Sequence, residues 1–156
     1  MDFEPGEILV IKEFEFPRKG IVVKKDKYMI PLIKAGDQVL LVGLPSSKAY
    51  ISEENKKAGC INIPTISISI YYFPARKKIG NDGFYFPKDT FLYLRQIFET
   101  TNRKLLQYNV DGKLERLDKL SIEEFKNLIY CTLKSNQVPE KYKDALEKKL
   151  ESLFSL

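Results

Sequence analysis

Apolar and polar positions alternate most cleanly over residues 65–73, where Ile66, Ile68, Ile70 and Tyr72 fall on one face and Ser67, Ser69, Tyr71 and Phe73 on the other. A period of two predicts a strand with one core face and one partly exposed face. Residues 8–11 form an apolar run that passes into alternation, with Phe14 and Phe16 set between Glu13 and Glu15. Pro17 and Gly20 break that strand, and a basic loop with Lys24, Lys25 and Lys27 follows. Further apolar runs at 28–33 and 39–44 flank a turn over 34–37, and the second stops at Pro45. Residues 48–59 read as a polar loop, 60–63 as a short apolar segment, 74–83 as a turn region and 90–97 as another strand. Residues 105–109 and 113–117 flank Asp111-Gly112, a pair suited to a tight hairpin.

From Ser121 the period changes. Ser121 and Glu124 have capping-box spacing, and Ile122, Phe125, Leu128, Ile129 and Leu133 recur as one face of a helix. Pro139 suits the first turn of a second helix, with Tyr142, Leu146, Leu150, Leu153 and Phe154 along one side. The expectation is a mainly β protein with C-terminal helices, an α+β chain whose six or so short strands curl into a small barrel. Residues 1–135 are read as the barrel with its closing helix, and 136–156 as a helical extension of the same domain. That extension packs on its own barrel or on a second copy.

A length of 156 residues allows one core. The formal charge of +5 permits a polyanionic partner without requiring one. The chain has no histidine, which removes Ser-His and Cys-His nucleophile pairs and two-histidine RNA cleavage. Acid–base work then falls to Lys, Arg, Tyr, Asp or Glu. Cys60 and Cys131 lack CxxC spacing and are expected to be reduced. The opening MDFEPGE lacks the basic and apolar regions of a signal peptide, and no run is long enough to span a membrane. A cytoplasmic protein is expected.

Three blocks carry a family likeness. The first has Gly6-Glu7, Gly20, Lys27-Tyr28 and Ser46-Ser47; the second runs from Lys88-Asp89-Thr90 to Gln96-Ile97; the third joins Gly112-Lys113-Leu114 to Leu120-Ser121 and the helix. In order and spacing they resemble the MazF/PemK toxin family, small sequence-targeted RNA endonucleases. The resemblance implies an SH3-like barrel and a metal-independent endoribonuclease acting on single-stranded RNA with no cofactor. It also implies a homodimer and a partner antitoxin that blocks the RNA groove. The family usually has Arg-Pro where this chain has Lys27-Tyr28, and that Arg is its main catalytic residue.

The resemblance makes Lys27 the catalytic cation and Ser46 or Ser47 the hydroxyl that binds the scissile phosphate. Lys24, Lys25 and Lys48 are candidate RNA contacts beside them. Arg76, Lys77 and Lys78 lie near Phe84, Tyr85 and Phe86, and this mix of cations and rings suits a backbone with stacked bases, Tyr85 in particular. The plainer alternatives are solvated lysines, turn serines and core rings. Lys27 in place of Arg also leaves room for a barrel that binds RNA or a protein partner without cutting.

Overall fold

A computed structural model describes residues 2–156, including all their side chains except those of residues 16–18. Strand β1 (Glu7–Arg18) and β2 (Ile21–Lys34) form a long hairpin. They are followed by β3 (Val39–Gly43), β4 (Gly59–Ile63), β5 (Ile68–Phe73), β6 (Thr90–Tyr93), β7 (Phe98–Thr101) and β8 (Leu114–Lys119). Helix α1 (Asn102–Val110) lies between β7 and β8, and α2 (Ile122–Lys134) and α3 (Lys143–Phe154) close the chain. The class is α+β. Two antiparallel sheets have the orders β7-β3-β2-β1-β8 and β4-β5-β6.

The sheets do not close into the expected barrel. Closure requires the outermost strands to pair. Here β7 and β8 occupy opposite edges of the larger sheet, and α1 fills the chain between them. That helix also replaces the expected hairpin at Asp111-Gly112. Thr101 caps it by accepting from the Lys104 amide at 3.1 Å, and Leu105 is buried beneath it. The expected strand over 90–97 is likewise split, with a 3-10 turn at Leu94–Gln96 between β6 and β7.

The segment read as a basic loop is a ladder. Lys19 and Gly20 have φ of 50° and 80°, which makes the turn tight, and Lys24, Lys25 and Lys27 sit opposite Glu15, Phe14 and Ile11. Between Ile11 and Phe14 one extra residue on β1 forms a bulge, with Glu13 at φ 54°. Phe14 is buried as expected, whereas the side chain of Phe16 lies outside the described residues.

The continuous apolar runs reflect burial on both faces of the larger sheet. Ile8, Ile30 and Leu41 face α2, α3 and the smaller sheet, while Leu9, Met29, Leu40 and Val42 face α1 and Phe3. Helix α3 packs on its own chain through Leu146 and Leu153. At its first residue, the Lys143 ammonium donates to the carbonyls of Leu133 and Ser135 and so satisfies the end of α2. At the start of α2, Ser121 accepts from the Glu124 amide at 3.2 Å. The Glu124 carboxylate does not reach back to complete the box; it accepts from the buried Tyr71 hydroxyl and pairs with Lys77 at 3.4 Å.

The cysteines are joined, not reduced. Cys60 on β4 and Cys131 on α2 form a disulfide with Cα atoms 5.5 Å apart, although 71 positions separate them. Their spacing concealed this because packing of α2 on β4, not sequence proximity, brings them together. A cross-link over that interval restricts the unfolded chain by up to about 4 kcal/mol. Reduction should therefore lower the melting temperature by about 10 °C, read by circular dichroism with and without reductant. An unchanged melt on complete reduction contradicts that role.

Candidate functional site

A cavity of about 800 Å³ opens between the β1–β2 hairpin and the segment running from β6 to the start of α1. Lys27, Ser46 and Lys48 line it, and the same three residues line an adjoining cleft of about 480 Å³. Tyr50, Tyr93 and Gln96 line the opposite side and are shared with a third cavity of about 440 Å³. The three spaces thus share walls in sequence and form one track, with Lys27 and Ser46 at one junction and Tyr50 at the other.

Backbone pairing fixes Ser46. Its amide donates to the Phe91 carbonyl at 2.9 Å, and the Phe91 amide donates back at 2.8 Å. This bridge joins the end of β3 to β6, hence one sheet to the other. The Ser46 hydroxyl accepts from the Lys48 amide at 3.2 Å and keeps its own proton to donate. Lys27 projects from β2 beside the bulge.

The loop between β3 and β4 is pinned twice. Tyr93 Oη accepts from the Tyr50 amide at 2.9 Å and donates to the Lys48 carbonyl. Burial raises the Tyr93 pKa and keeps the phenol protonated. Farther along, Lys56 bonds Glu53 at 3.0 Å and Asp89 at 3.2 Å, and its ammonium lies 5.8 Å from the ring centroids of both Tyr72 and Phe91. The hydrogen bonds to Glu53, then to Asp89, raise the Lys56 pKa. Asp89 is held low chiefly by the Ala75 amide at 2.9 Å, with Tyr72 and Lys56 adding to it.

Charge along the track is arranged unevenly. Of its carboxylates, Glu15 pairs with Lys24 at 3.5 Å and Glu99 with Lys141 at 3.5 Å and with the Tyr142 hydroxyl, while Asp26 accepts from the Glu13 amide at 3.0 Å and forms no ion pair among the described residues. Lys25, Lys48, Lys88, Lys104 and Arg95 also line it and form no ion pair among the described residues. Unpaired cations beside exposed rings suit a flexible polyanion carrying planar groups.

Of the residues singled out in the sequence, Lys25, Lys27, Ser46, Ser47 and Lys48 gather here; Ser47 lines the smaller adjoining cleft only. Lys24 is spent on Glu15. Arg76, Lys77, Lys78 and Tyr85 lie outside the three cavities. Lys77 is tied to Glu124, and Phe84 and Phe86 pack edge-on against Tyr28 at 6.2 and 4.9 Å, whereas Arg76, Lys78 and Tyr85 are exposed at a surface separate from the track. Tyr50, Tyr93, Gln96, Arg95 and Lys104 were not anticipated. The available signal was Tyr50, a lone ring in the polar stretch SSKAYISEENKK.

Among the described residues no His, Cys, Asp or Glu group is arranged to hold a metal, and no helix is long and apolar enough to cross a membrane. No protein-family model and no curated protein matches the chain.

The Glu99 contact gives a pH signature. The Tyr142 hydroxyl first, and Lys141 with it, hold the carboxyl below its ordinary value of 4.5. A depressed carboxyl stabilises the fold above that value, and the contribution is lost as pH falls through the lower folded-state value. Tyr142→Phe should therefore melt lower than the unaltered chain at neutral pH, with the gap narrowing below pH 4.5. A gap that stays constant through acid argues against it.

Proposed function

We propose that this chain binds single-stranded RNA along the track and cleaves it without a metal at the Lys27–Ser46 junction. The observation carrying this reading is that a cation on β2 and a hydroxyl in the bridge that follows β3 line the same two clefts. The resemblance to MazF/PemK toxins supports the same assignment and adds a homodimer, an antitoxin partner and a cytoplasmic site of action. The proposed site draws on the hairpin, the end of β3 and β6, so it does not require a closed barrel.

In the reaction the ribose 2′-oxygen attacks the adjacent phosphorus. A 2′-O–P bond forms and the P–O5′ bond breaks, leaving a 2′,3′-cyclic phosphate and a 5′-hydroxyl. Negative charge grows on the non-bridging oxygens, where the Lys27 ammonium and the Ser46 hydroxyl supply compensation. The 2′-hydroxyl proton must pass to a base and a proton must reach O5′. Glu15 and Glu99 are carboxylates on the cavity wall. Both are engaged, Glu99 by Tyr142 and Lys141 and Glu15 by Lys24, so water in the open cleft takes the 2′-hydroxyl proton and supplies the one that O5′ requires.

A second reading is binding without cleavage. It is favoured by lysine at position 27, which lacks the planar fork of arginine. Incubation with a long single-stranded RNA in EDTA separates the two. Cleavage should proceed, fall about 100-fold or more in Lys27→Ala, and persist in Lys27→Arg. Ser46→Ala should lose about 10- to 100-fold. RNA that is retarded on a gel but never shortened establishes the second reading. Cutting unaffected by Lys27→Ala overturns the assignment of the cation.

A further inference from the structure

We infer that Tyr50 and Gln96 form a nucleobase subsite that selects the RNA sequence cut at the Lys27–Ser46 junction. This inference rests on the RNA reading above and deepens it. Tyr50 is 70% exposed, yet its position is not loose. Its amide is held by Tyr93 Oη, the same hydroxyl secures the Lys48 carbonyl, and the two rings lie 5.7 Å apart at 56°. The loop farther on is held by Lys56 through Glu53 and Asp89. A large ring is thus fixed at its base and left open on its outer side. Loop entropy is already restricted before a ligand arrives, which is what a stacking platform requires.

Gln96 stands across the same junction. It ends the short 3-10 turn between β6 and β7 and lines both cavities that meet at Tyr50. Its side chain is exposed and has no hydrogen-bond partner among the described residues. A carboxamide offers a donor and an acceptor side by side, the pattern that reads a base edge. Lys48 on one side and Arg95 on the other are unpaired cations placed for the flanking phosphates. Stacking alone is tolerant of sequence, so discrimination falls to Gln96 and affinity to Tyr50.

The test uses the full chain and four fluorescein-labelled homopolymers of A, C, G and U, about ten nucleotides long, with 2′-O-methyl sugars that block cleavage. Tyr50→Ala should weaken binding about tenfold and Tyr50→Phe should preserve it. Gln96→Ala should flatten the differences among the four homopolymers. The chain has no tryptophan, so Tyr50→Trp introduces a sole indole whose emission should fall as a base stacks on it. Melting curves confirm that each variant folds. If the unaltered chain binds none of the homopolymers, both this inference and the RNA reading fail. If RNA binds but affinity, preference and indole emission are unmoved by these changes, the subsite alone is overturned.

Discussion

The reciprocal hydrogen bonds between Ser46 and Phe91 are the contact on which the cleft depends. They join two sheets that otherwise pair within themselves. Without them the end of β3 would leave the core as an ordinary loop, and the hydroxyl of Ser46 would have no fixed position opposite Lys27. The approach is close: a Cβ on Gly43 would lie 2.8 Å from Leu92 Cδ1, so a larger residue there would force the buried Leu92 side chain to shift. Two strands thereby present a rigid element of the site, and a backbone bond rather than a side-chain contact sets its position.

That arrangement explains what was readable in the chain. The strands at 7–18, 28–33 and 39–43 were legible because each carries an apolar run, and both faces of the larger sheet are covered. Helix α2 was legible from its spacing and from Ser121. Helix α1 was not, because Leu105 and its neighbours are too short a run to show a helical period, and Asp111-Gly112 offered a plausible hairpin in its place. The closed barrel failed for the same reason, since it needed that segment as a strand. Lys27 and the serines could be brought together from sequence by assuming adjacent strands. Tyr50 and Gln96 could not, because they share a cavity with Lys48 only once the Ser46–Phe91 bridge and the Tyr93 hydroxyl have folded the intervening loop back.

The electrostatics follow from the same folding. A net charge of +5 says little by itself about a partner. What matters is the local arrangement: Glu15 is paired with Lys24 and Glu99 with Lys141 and Tyr142, whereas Asp26 is tied to the Glu13 amide. Surface pairs of this kind contribute little to stability. In the proposed reading they would mask two carboxylates from a phosphate, while Lys48, Lys104 and Arg95 form no ion pair among the described residues.

Beside Lys27, the pairing of β2 with β1 is set by an irregularity in β1. Strand side chains alternate between faces, so a slip of one residue would turn Lys27 away from the cavity. The bulge between Ile11 and Phe14 sets that register, and it is held from three sides. Asp26 accepts from the Glu13 amide at 3.0 Å, the Lys12 amide donates to the Lys113 carbonyl at 2.7 Å, and Lys113 pairs with Glu13 at 3.4 Å. Glu13 sits at φ 54°, a conformation that a non-glycine residue adopts only when its surroundings impose it. Asp26 therefore acts through the backbone: by accepting from the Glu13 amide it clamps the bulge against β2, one residue from the lysine that lines both clefts with Ser46.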